Sequence, residues 1–240
     1  MKLTLPILMA FLFSAAALGA AEPTTAIGGQ AAGQMGADAN QLPLVPTEIG
    51  GHFTNSIDME LVKVGDFWAG KFEVTQKEYQ EIMGANPSTF GNPKNPVDSV
   101  NWNEAVEFCR KLTARDLKEH KLPEGYYYTL PTEAQWDAYA GDASLNDAVS
   151  SLNGRRGGPA PVGSLKPNSF GLYDTRGNVM EFCMTDPSQP FRILKGGSWN
   201  DFVEVNLRKE FRWSCRPDER QNTFGFRCVL LPGSGPKPGS

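Results

Sequence analysis

Histidine is nearly absent from this sequence, with His52 and His120 the only two in 240 residues. They stand far apart among polar neighbours, so a histidine-built mononuclear iron centre has no ligand set to draw on. A Ser-His-Asp elbow is missing, as is a glycine loop followed by the Lys-Ser/Thr pair that cradles phosphate. Positive charge is also short: the formal net charge is −4, and no basic stripe carries interleaved aromatics. Nucleic-acid binding therefore loses its electrostatic basis.

Long apolar runs are scarce too. One exists, Leu3–Leu18, preceded by Lys2 and followed by the small residues Gly19, Ala20 and Ala21 before Glu22. It is short for a spanning helix and has no stop-transfer flank. Residues 1–21 are therefore read as an export signal, with no cysteine nearby to take a lipid. The expectation is a periplasmic or extracellular protein, free of the membrane after cleavage.

Cysteine occurs four times, as Cys109, Cys183, Cys215 and Cys228. An even count in an exported chain reads as two disulfides, and four cysteines allow three pairings. Four buried free thiols are the other reading.

What the chain does have is local signals in order. Residues 22–50 are Gly/Ala/Gln/Thr-rich without apolar periodicity and read as a flexible linker. Residues 51–231 form the expected domain, and the Pro/Gly/Ser-rich residues 232–240 a disordered tail. Leu61, Val62, Val64, Phe67 and Trp68 surround a Gly65-Asp66 turn and suit strands. Thr75-x-x-Glu78, Asn101-x-x-Glu104 and Thr132-x-x-Gln135 each announce a helix by a capping box. Apolar residues follow at helical spacing in each case, as in Ala105, Phe108, Cys109 and Leu112. Residues 141–168 lack periodicity and read as a long surface loop. Arg155 and Arg156 within it could meet an anion, with two solvated arginines as the default.

From Gly171 to Cys228, glycines alternate with short β-branched and aromatic runs, which makes a secreted α+β domain. The motifs G-K-F-E-V-T (Gly70–Thr75), N-P-V-D-S-V-N-W (Asn95–Trp102), L-P-T-E-A-Q-W (Leu130–Trp136), G-L-Y-D-x-x-G-N-V-x-E (Gly171–Glu181), K-G-G-S-W (Lys195–Trp199) and G-F-R (Gly225–Arg227) recur in order. In this the chain resembles the formylglycine-generating enzyme, or sulfatase-modifying factor, family over about three quarters of its length. The resemblance implies an α+β, C-type lectin-like fold with short strands, about three helices and much loop. It also implies a Cys109–Cys228 disulfide, which leaves Cys183–Cys215 as the remaining pair.

The same resemblance implies a structural Ca²⁺ held by Asp174, Gly177, Val179 and Glu181, a set whose oxygens suit that ion. Turn amides bonded to the two carboxylates are the plainer reading. For copper the implication runs the other way. The family's oxidases hold it through two cysteines after the G-G-S motif, and those places fall at Asp201 and near Asn206. Ser198 and Arg212 match the family pocket, whereas Phe202 replaces a histidine, Met180 a tryptophan and Thr223 an asparagine. Copper is not expected. Ser198, Trp199, Asp201, Phe202 and Arg212 are then expected to form a platform for a protein, peptide or carbohydrate ligand. The reading is a non-catalytic binding or scaffold module. Its alternatives are an oxidase acting in sulfatase maturation, or oxidative tailoring of a secreted small molecule.

Overall fold

The computed structural model describes residues 50–233. The expected export signal, nearly all of the linker, and residues 234–240 of the tail lie outside the described residues.

Among the described residues, three capping boxes start the three α-helices. Thr75 accepts from the Glu78 amide while the Glu78 carboxylate takes the Thr75 N–H, opening α1 (Gln76–Met83). Asn101 and Glu104 open α2 (Trp102–Lys118) in the same reciprocal way, and Thr132 and Gln135 open α3 (Glu133–Ala140). Each box satisfies amides that a first helical turn leaves unpaired. Gly84, at φ 82°, then ends α1 in the left-handed conformation that a side chain resists.

The strands β1 (His52–Thr54), β2 (Glu60–Val64), β3 (Phe67–Gly70), β4 (Tyr126–Thr129) and β9 (Val229–Pro232) make a five-stranded sheet. Its order is β1-β2-β3-β9-β4, antiparallel throughout, so the last strand slots between two early ones. A second sheet holds β5 (Met180–Phe182), β6 (Arg192–Lys195), β7 (Trp213–Cys215) and β8 (Phe224–Gly225), in the order β7-β6-β5-β8.

The main core joins α1 and α2 to both sheets. Tyr79 stacks on Phe108 at 5.7 Å, and Phe108 meets Phe226 edge-on at 5.3 Å. Each such ring, fully buried, stabilises the fold by about 1.5–3 kcal/mol. A second cluster gathers Trp136 and Tyr139 of α3 with Leu172, Cys183 and Val229.

Three expectations change. Pro232 belongs to β9 and Gly233 N–H donates to Gly125 O at 2.6 Å, so the ordered chain runs past 231. The 141–168 segment is not a bare surface loop: it forms 3-10 turns at Leu145–Asp147 and Ser151–Asn153 and buries Ala148, Val149 and Ser150.

The third change concerns cysteine. Cys109 and Cys228 face each other with sulfurs 3.5 Å apart, as thiols. Cys183 and Cys215, by contrast, lie on opposite sides of β6. The Cys183 amide donates to Ile193 O of that strand, and Cys215 pairs with Arg192 of the same strand. Two strand spacings amount to about 9.5 Å, beyond the roughly 7 Å that a disulfide spans between Cα atoms. The expected Cys183–Cys215 bridge does not fit this sheet.

Candidate functional site

The K-G-G-S-W-N-D stretch leaves β6 through two left-handed glycines, Gly196 at φ 95° and Gly197 at φ 69°. A Cβ on Gly197 would stand 2.8 Å from the Asn206 carbonyl oxygen, so only glycine lets the returning chain press this close. The turn delivers Asp201 to a buried position. Its Oδ2 accepts from the Ser198 amide at 2.7 Å and from the Ser198 hydroxyl at 2.8 Å. Its Oδ1 accepts from Asn206 Nδ2 at 2.7 Å. The two residues expected where copper-binding thiolates would stand are thus hydrogen-bonded to each other. A carboxylate already engaged with three donors and a donating amide do not fit a soft dithiolate copper site.

Trp199 is fixed in place. Its amide donates to Asn178 O at 2.8 Å, its indole N–H to Asn222 O at 3.1 Å, and its ring meets Phe90 edge-on at 5.3 Å. The neighbouring 3-10 turn is stitched to it: Ser151 Oγ donates to Trp199 O, and the Leu152 amide to Asp201 O. That stitching brings the two arginines of the long loop beside the tryptophan. A cleft of about 460 Å³ results, lined by Ser151, Arg155, Arg156, Trp199, Asn200 and Phe202 with Gly157. Phe202 stands at its mouth, 75% exposed.

Of the expected platform, Trp199 and Phe202 line the cleft, while Ser198 and Asp201 brace its floor from within. Arg212 does not line it. Its guanidinium clamps Glu133 at the start of α3, at 2.5 and 2.7 Å. Arg155 and Arg156 are placed by the hydrogen bonds of Ser151 and Leu152, partners that no local sequence pattern announces.

The two carboxylates of the expected calcium set are hydrogen-bonded within the protein. Glu181 Oε1 accepts from Arg227 Nε at 2.9 Å and stands 2.8 Å from Nη2, which donates to the Tyr173 carbonyl, while Oε2 accepts from Trp136 Nε1 at 2.8 Å and from the Tyr139 hydroxyl. Three hydrogen bonds and one ion contact already engage this carboxylate, and a dication there would meet a buried guanidinium. Asp174 Oδ2 takes the Gly163 amide at 2.6 Å, which leaves Oδ1 alone without a partner. Among the described residues, no three His, Cys, Asp or Glu side chains gather as a metal-ligating group. Gly177, at φ 78°, is explained by packing: a Cβ there would lie 2.4 Å from Val149 O.

Glu73 of the G-K-F-E-V-T motif completes this buried group by accepting from Asn178 Nδ2 at 2.6 Å and the Val179 amide at 3.0 Å. Burial, and then the charges of Asp174 and Glu181, push its carboxyl well above the usual range. Burial likewise raises Asp174.

With this geometry in view, comparison with known proteins decides the family. The family model for the sulfatase-modifying factor enzyme 1-like domain matches residues 28–231. The chain belongs to the sulfatase-modifying factor family. Among its relatives, the chaperone protein LppX of Paenibacillus barcinonensis is 32% identical, over 60% of this chain and 73% of that protein. The formylglycine-generating enzyme of Streptomyces coelicolor is 29% identical over 61% of this chain. The inactive C-alpha-formylglycine-generating enzyme 2 of Bos taurus is 28% identical over 60%. The family member described here spans only 56% and 52% of the latter two. Among solved structures, Treponema denticola variable protein 1 is similar with a TM-score of 0.60 and 25% identity, over 78% of this chain and 93% of that one. CarF shares the fold, with a TM-score of 0.57 and 22% identity over 78% and 95%.

Proposed function

We propose that this chain is a non-catalytic member of the sulfatase-modifying factor family, exported to bind protein partners through an extended peptide segment. The observation that carries the reading is the Ser198–Asp201–Asn206 network, which occupies the place of the oxidases' thiolates with saturated oxygen and nitrogen groups. What is left at that surface is a cleft with an immobilised tryptophan wall and an exposed phenylalanine. Exposed Val203 and Val205 continue from Phe202, and this apolar run favours a peptide over a sugar. One relative being named a chaperone and another an inactive enzyme agrees with a binding role. The Cys109–Cys228 pair would become a disulfide in an oxidising compartment.

Panning a random peptide library against the purified protein and against Phe202→Ala tests this. Enriched peptides should lose most of their binding to the variant, whose exposed side chain has no part in the core. Equal recovery on both proteins, or no enrichment, overturns the reading.

A further inference from the structure

We propose that the segment this cleft takes is acidic, with Arg155 and Arg156 holding its carboxylates while Phe202 and Trp199 pack against an adjoining apolar side chain. The proposal rests on the peptide-binding reading above and names the chemistry of the partner. Two adjacent guanidiniums line the cleft, and no carboxylate does. Seven other arginines are each paired with a carboxylate, among them Arg208 with Glu204, Arg212 with Glu133, Arg220 with Glu104 and Arg227 with Glu181. Neither Arg155 nor Arg156 has an ion-pair partner among the described residues, and Arg156 Nε is buried with no hydrogen-bond partner at all. Guanidiniums with no carboxylate beside them remain able to pair with one brought in by a ligand.

The position is held firmly enough to serve as a receptor. The Arg156 amide donates to Ser151 Oγ at 3.4 Å, and Ser151 Oγ donates in turn to the Trp199 carbonyl. Asn153 Nδ2 ties the same turn back to the Leu145 and Ala148 carbonyls at 2.7 and 2.9 Å. Guanidinium forks match carboxylates in two-point geometry, which a point charge does not. The protein as a whole is acidic, with formal net charge −4, so its overall field repels an acidic segment. Any preference for acid must come from these two side chains.

The test is fluorescence anisotropy of dye-labelled acetyl-Trp-Glu-Asp-Glu-Phe-amide and its uncharged Gln/Asn counterpart, each titrated with the purified protein. The acidic peptide should bind at least about tenfold more tightly, since two charge-assisted pairs separate the probes. The Arg155→Gln/Arg156→Gln double variant should erase that preference, the two peptides then binding alike, and its circular dichroism should match the parent because neither side chain supports the core. Raising salt should shrink the difference. Equal affinities, with Phe202→Ala weakening both, overturn the acidic partner and leave the peptide-binding reading standing. Failure of both probes to bind overturns it as well, and the library panning then decides the broader reading. Arginine-dependent displacement by a sulfated disaccharide that binds more tightly than the peptide overturns it in favour of an anionic sugar.

Discussion

Asn206 Nδ2 lies 2.7 Å from Asp201 Oδ1, and that bond joins the residues expected at or near the places of the oxidases' copper-binding sulfurs. The same carboxylate secures Ser198 through its other oxygen. A place that in an oxidase must stay open to metal and oxygen is closed here by side chains serving one another. Asp201 becomes a clip for the loop that shapes the cleft.

Removing the clip should cost stability. Asp201→Ala strands the Ser198 amide, its hydroxyl and the Asn206 amide, and unsatisfied buried donors cost about 1–3 kcal/mol. Chemical denaturation should show a loss of that size. Asn206→Ala alone should cost less, and the double variant should fall short of the sum because the two share one bond. Strict additivity would mean that the bond is not made in solution.

Arg227→Met tests the buried pair. Breaking such a pair on one side destabilises by about 3–5 kcal/mol, because the Glu181 charge stays behind. Calcium should give no rise in melting temperature in the parent protein, since a dication at Glu181 would meet the Arg227 guanidinium. A calcium-dependent rise, reversed by EDTA, would restore the cation site.

Stability should fall as pH rises from about 5 to 8. Glu73 and Asp174 have carboxyl groups raised above their unfolded values by burial. Below the unfolded value both states hold the proton and no penalty arises. As pH climbs towards the folded value the unfolded chain ionises first and is favoured. Exposed Asp142 and Asp186 shift the other way, but solvent screens them. Denaturation midpoints at pH 5 and pH 8 check the sign, and a midpoint that increases would refute it.

Much of the architecture was legible in short-range chemistry. All three capping boxes mark helix starts because a cap and its reciprocal partner are three residues apart, inside one turn. The motif order carried the fold. What escaped was set at long range. Cys183 and Cys215 could be paired on paper only because the intervening β6 is invisible to residue counting. Glu181 looked like a metal ligand because Arg227, 46 residues later, contributes nothing to a local pattern. Arg155 and Arg156 read as solvated because their placement depends on hydrogen bonds from Ser151 and Leu152 to a loop almost fifty residues on.

Thiol titration follows from the strand order. Denatured, unreduced protein recovered from an oxidising compartment should show two free thiols per chain, Cys183 and Cys215, with Cys109 joined to Cys228. In the folded protein they should be unreactive, since burial pushes the Cys215 thiol up to about 12 and Cys183 well above its usual value. No free thiol in the denatured chain would mean that Cys183 and Cys215 can meet, and the sheet order would need revision.

The most direct measurement is oxygen uptake by the purified protein supplied with copper(I) and a cysteine-containing sulfatase peptide. With Asp201 and Asn206 in place of the two thiolates, uptake should not exceed that of copper and peptide alone, and the peptide's mass should stay unchanged. Copper-dependent uptake that the protein accelerates, with the peptide cysteine converted to formylglycine, would contradict the account.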